Sequence, residues 1–132
     1  MAVKGIASLP SGNLGQVLFA GRGLNFQLTS DQALTKIYSG TNYYPAFIIA
    51  RQRSGGASVA CVGGVYDGAG KTGNIIVLAA QSWVTLAVGI LVTAPINVGA
   101  ATLLSATPIF SLTTGSTAAC TGDVLIYGYD IS

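Results

Sequence analysis

The chain has no histidine and no glutamate. Most acid–base and metal chemistry thereby loses its usual agents, and a Ser–His–Asp triad is excluded outright. Charge is scarce as well. Charged residues make up 8% of the chain, about a third of the roughly 25% usual in a soluble domain. Six Lys and Arg stand against four Asp for a net charge of +2, with no basic run, which argues against nucleic acid as a partner. Between Lys71 and Asp123 no residue is charged. Apolar residues reach 51%, a composition that excludes disorder.

What is present is one domain's worth of chain, 132 residues, with 23 Ser and Thr to wet a surface that ten charged side chains cover thinly. So bland a surface favours association, and the chain is expected to belong to an oligomer or larger assembly. Its first ten residues carry Lys4, Gly5 and Pro10 but no apolar run long enough for a secretory signal, so folding in a cytoplasm is expected. The uncharged span 75–94 has the length of a membrane helix. Gln81, Ser82, Thr85, Gly89 and Thr93 interrupt it, no basic anchor follows it, and it is rich in β-branched residues. Buried strands are the expected outcome, with no membrane partner.

No segment sustains a helical period. Short apolar runs bounded by Gly, Pro, Asn and Ser recur about every 8–12 residues, the mark of an all-β antiparallel sandwich or jelly roll of about eight strands. Residues 1–15 read as an extended N-terminal arm and 16–132 as a single β-sandwich domain. Two strands are expected at 16–20 and 24–29 around Gly21-Arg22-Gly23, and another within 33–39. Over 44–53 the period of two sets Phe47, Ile49, Arg51 and Arg53 on one face and Ala46, Ile48 and Ala50 on the other. Further strands are expected at 57–66, with Gly63-Gly64 at a bulge or close contact, at 74–80, within 83–94, at 107–113 and at 123–130. The last is apolar on both faces, as a strand covered by the core and by a neighbouring subunit would be. A helical turn is conceivable over 99–102.

The string Gly68-Ala69-Gly70-Lys71-Thr72-Gly73 imitates the end of a phosphate-binding loop, but Val65 stands where that loop needs its first glycine. A strand pattern follows instead of a helix, so the string reads as a hairpin turn. Asp31 and Asp67 read as turn residues and Asp123 as a strand-edge residue. Nothing brings two carboxylates together for glycoside hydrolysis, and no calcium-loop spacing occurs. Cys61 and Cys120 form no CxxC motif. They read as two buried thiols or as a disulfide formed after release from the cell. No catalytic, cofactor or metal residue is expected. Tyr43, Tyr44, Trp83, Tyr127 and Tyr129 are the candidate subunit-interface aromatics, and Tyr43, Tyr44 and Trp83 could alternatively stack on sugars.

Three segments carry a family resemblance. They are 29–34 (TSDQAL), 63–69 (GGVYDGA) running on to 79–82 (AAQS), and 106–114 (ATPIFSLTT) closed by 123–128 (DVLIYG). Together they resemble the small β-rich structural proteins of tailed-phage and prophage virions, of head decoration, cement or short fibre type. The family's turn pattern often has a lysine followed by a small residue, as at Lys71. The resemblance implies a non-enzymatic subunit assembled in the host cytoplasm. It would decorate or cement a capsid as a homo-oligomer, a trimer first, with its arm reaching a neighbour. The major capsid protein or other virion proteins would be its partners. A tail, collar or fibre component, or a carbohydrate-binding adhesive module, are the alternatives.

Overall fold

The computed structural model describes residues 15–56, 58–84, 91–98 and 103–132. The arm expected over 1–15 lies outside them but for Gly15, and the turn expected over 99–102 lies outside them entirely. The described chain forms nine strands and no helix: β1 (Gln16–Asn25), β2 (Gln32–Ala33), β3 (Thr35–Lys36), β4 (Tyr43–Gly55), β5 (Val62–Gly68), β6 (Thr72–Val77), β7 (Leu91–Ala94), β8 (Ile109–Thr114) and β9 (Cys120–Asp130). They build two antiparallel sheets, one ordered β3-β1-β9-β4-β7 and the other β2-β8-β5-β6. The all-β sandwich expected from the strand spacing is the observed architecture.

The long strands are central and the shortest ones lie at edges. β9 is hydrogen-bonded along its length to β4 on one side and to β1 on the other. Asp123 is therefore in the middle of the sheet, which corrects its reading as a strand-edge residue. The two strands expected around Gly21-Arg22-Gly23 are instead one bent strand. β1 stays paired with β9 on both sides of an irregularity between Gly21 and Leu24. Gly23 takes a positive φ of 64° there, and a Cβ on Gly21 would run into the side chains of Leu24 and Leu34. The strand expected within 33–39 is instead two short pieces in different sheets, β2 and β3. The chain passes between layers at buried Leu34, whose N–H donates to the Pro108 carbonyl at 3.1 Å.

The core holds two aromatic clusters. Phe19, Tyr38 and Tyr43 meet edge to face with centroids 4.8–5.9 Å apart. Phe26, Trp83 and Phe110 meet at 5.1–6.4 Å. Ile48, Val65, Ile76, Leu112, Val124 and Ile126 contribute aliphatic packing to the same core. Tyr43 and Trp83 thus belong to the interior of one subunit, which corrects their reading as interface residues. Each also has its polar atom satisfied, as burial demands. The Tyr43 hydroxyl donates to the Ala106 carbonyl at 2.8 Å, and the Trp83 indole N–H to the Gly63 carbonyl at 3.0 Å.

Gly128 marks a close approach of two backbones. A Cβ there would collide with the Tyr44 carbonyl oxygen and lie 2.9 Å from the Pro45 Cα. Gly128→Ala should cost about 1–3 kcal/mol or more, the range for forcing extra atoms into a packed site. Urea melts against the wild type measure the loss, and an unchanged midpoint would contradict the close approach.

Candidate functional site

The outer face of the five-stranded sheet is built by the alternation of β4 and β9. Their register pairs Tyr44 with Tyr129, Phe47 with Tyr127, Ile49 with Leu125 and Arg51 with Asp123. An irregularity between Pro45 and Phe47 keeps the aromatics in one row and turns Ala46 out of it. Phe47 and Tyr127 stack in parallel, centroids 4.9 Å apart and planes 5° from coplanar. β7 adds Thr93 beside Ile49 and Leu91, which is 62% exposed, beside Arg51. Three of the five aromatics singled out from the sequence, Tyr44, Tyr127 and Tyr129, thus come together on one face. Phe47 joins them; the period of two had already placed it there with Ile49, Arg51 and Arg53.

At the far end of the row Asp123 is 1% exposed and fully committed. It accepts the Gly23 N–H at 2.9 Å, the Arg51 Nε at 3.0 Å and an Arg53 terminal nitrogen at 3.1 Å. Burial pushes this carboxyl's pKa up, but the Gly23 amide and the two guanidiniums outweigh it, so the group sits below the usual aspartate range. Beside it opens a groove of about 360 Å³, lined by Arg22, Arg51, Asp123, Ile49, Leu91, Leu125 and Tyr127.

The other motifs serve the fold. Gly70 and Lys71 take positive φ of 67° and 62° at the tip of the β5–β6 hairpin. The Gly70 N–H, which a phosphate-binding loop would offer to its ligand, donates to the Asp31 carboxylate at 2.7 Å. Lys71 Nζ caps the Thr29 carbonyl at 3.0 Å. The phosphate-loop imitation is therefore a latch between this hairpin and the turn before β2. Asp67 braces the same hairpin by accepting the Asn74 backbone N–H at 2.6 Å and its side-chain amide at 2.9 Å.

Cys61 and Cys120 are free and buried. Burial first, and the neighbouring Cys120 second, push the Cys61 thiol up to about 12, so it offers no thiolate near neutrality. Among the described residues no three His, Cys, Asp or Glu gather as a metal site, and no helix is long and apolar enough to cross a membrane. No protein-family model, curated protein or solved structure matches the chain.

Asp123→Asn should cost about 1–3 kcal/mol, as expected for losing charge-assisted hydrogen bonds at a buried acceptor. Chemical denaturation measures it, and a loss near zero would show that the two arginines do not depend on this carboxylate.

The pH response follows from the remaining titratable groups. Asp31 is lowered by the Gly70 amide and then the Ser111 hydroxyl, and Asp130 by Ser132. Like Asp123, these groups stabilise the fold fully above the ordinary aspartate value of about 4. That contribution is lost as pH falls through their lower folded values. Cys61, Cys120, Tyr38, Tyr43 and Tyr66 are raised chiefly by burial. Their contribution is present below the ordinary values, about 8.5 for a thiol and 10 for tyrosine, and is lost as pH rises. Lacking histidine and glutamate, the protein should melt at a level temperature between about pH 5 and 8. A step inside that window in a series of thermal melts would contradict this assignment.

Proposed function

We propose that the protein is a non-enzymatic structural subunit of a bacteriophage virion that decorates or cements the capsid through the outer face of its five-stranded sheet. The observation that carries the reading is the row Tyr44, Phe47, Tyr127 and Tyr129. Phe47 and Tyr129 are exposed on the two central strands, beside half-buried Tyr44 and Tyr127. Aromatic residues are enriched where proteins meet, and monomers seldom leave a contiguous apolar face uncovered. The strand order supports the same reading. With the two-residue β3 set aside, β1-β9-β4-β7 and β2-β8-β5-β6 are two four-stranded sheets, which we read as a jelly roll. That arrangement serves viral capsid domains, and also lectins.

The subunit should assemble as a symmetric homo-oligomer, a trimer first, and then bind the major capsid protein or other virion proteins. Light scattering of the purified protein is expected to give a trimer, and mixing with empty capsids should deplete it from solution. Phe47→Asp should yield monomers that no longer bind capsids, while the thermal melt stays within a few degrees of the wild type. A wild-type protein that remains monomeric at high concentration and ignores capsids would overturn the proposal. A tail or fibre role would appear as a trimer that binds tails and not heads.

A further inference from the structure

The groove beside Asp123 carries a second inference, argued from its own lining, although it shares Tyr127 and the sheet face with the aromatic row. Its chemistry is divided. Ile49, Leu91, Leu125 and Tyr127 supply apolar wall, while Arg22 and Arg51 supply guanidinium groups. Asp123 holds Arg51 by Nε alone and Arg53 by one terminal nitrogen. The terminal nitrogens of Arg51 therefore remain available, and its side chain is 58% exposed. Arg22, placed by the irregularity in β1, has no hydrogen-bond or ionic partner among the described residues.

The charge balance is local. Arg22, Arg51 and Arg53 against one Asp123 leave two surplus positive charges, equal to the formal charge of the whole chain. The remaining lysines, Lys4, Lys36 and Lys71, are matched in number by Asp31, Asp67 and Asp130. Around this groove three arginines thus face one carboxylate beside apolar walls, the condition that focuses a field on an incoming anion. Planar guanidiniums match carboxylates in particular, because two parallel N–H donors meet two oxygens. At about 360 Å³ the groove lies at the small end of ligand sites, which begin near roughly 300 Å³. It has room for a single ring.

We propose that this groove binds a carboxylated sugar ring, with the carboxylate on Arg22 and Arg51 and the ring against Leu125, Ile49 and Tyr127. Asp123 is the positioning residue. Its buried carboxylate fixes Arg51 and leaves that side chain's outer donors for the ligand. The aliphatic wall receives the C–H face of a pyranose, and the arginines set the end at which its acid lies.

The test is a titration of the isotope-labelled full chain, followed by amide shifts, with N-acetylneuraminate and glucuronate as probes. Glucose, inorganic phosphate and N-acetylglutamate amide serve as comparisons. Saturable shifts confined to Arg22, Arg51, Leu91, Leu125 and Tyr127 are expected with the acid sugars, weakening as salt rises. Glucose should bind at least about tenfold more weakly, since it lacks the charge-assisted contact. Arg22→Gln should weaken the acid sugars about five- to tenfold with an unchanged melting temperature, and Tyr129→Ser, outside the groove lining, should leave them bound. Phosphate binding as tightly as the sugars would overturn the proposal in favour of a bare anion site. Preference for the glutamate derivative would overturn it in favour of an acidic side chain of a protein partner. No localised shift with any probe would overturn it outright. Light scattering on the same samples reports the oligomer separately, so loss of sugar binding and loss of assembly are distinguishable.

Discussion

The backbone ladder of β9 is the constraint on which the rest of the five-stranded sheet depends. β1 and β4 do not pair with each other; each pairs with β9. The ladder joins Gln16 to Gly128 and Gly55 to Cys120, so all of its hydrogen bonds close long loops. Such pairing gains nothing until the intervening chain is ordered, a topology that folds slowly for its size. The two buried glycines of this strand, Gly122 and Gly128, fit that central position. At Gly128 the neighbouring backbone occupies the space a side chain would need.

The same strand sets the electrostatics. A carboxylate at 1% exposure would be costly alone. Asp123 is held by one backbone donor and two guanidiniums that keep their far sides in solvent. Arg51 lies directly across the ladder from it, and Arg53 is two residues further along β4, on the same face. The outer surface is consequently graded, aromatic at Tyr44 and Tyr129, aliphatic at Ile49 and Leu125, and cationic at Arg22 and Arg51. One sheet face therefore offers two kinds of contact in a chain with few charges.

Much of this was legible in the sequence, where local pattern and tertiary outcome agree. The alternation through Phe47, Ile49, Arg51 and Arg53 placed those side chains on one face, and Gly63-Gly64 marked a close approach: a Cβ on Gly63 would lie 2.8 Å from the Ser111 carbonyl oxygen. Pairing was not legible. Asp123 looks like an edge residue until two partners flank its strand. Gly21-Arg22-Gly23 resembles a turn, yet the strand bends there and stays paired with β9 on both sides. Tyr43 and Trp83 are polar-tipped and border turns, but carbonyls of Ala106 and Gly63, distant in sequence, satisfy those tips inside the core. The Arg22–Arg51 groove was missed for the same reason. Its arginines are 29 positions apart in sequence, and only the shared β9 makes them neighbours.

The edges limit how another chain can dock on this fold. β3 and β2 are two residues long and β7 is four, so these flanks present little unpaired backbone to a passing strand; the fourth edge, β6, has six residues, and Asn97 already donates to its Ile75 and Ile76 carbonyls. Along the three short edges, a contact would have to be written in side chains across a face. A joint of that kind can be parted and remade while every ladder hydrogen bond within the subunit stays intact, and its strength can be tuned one residue at a time.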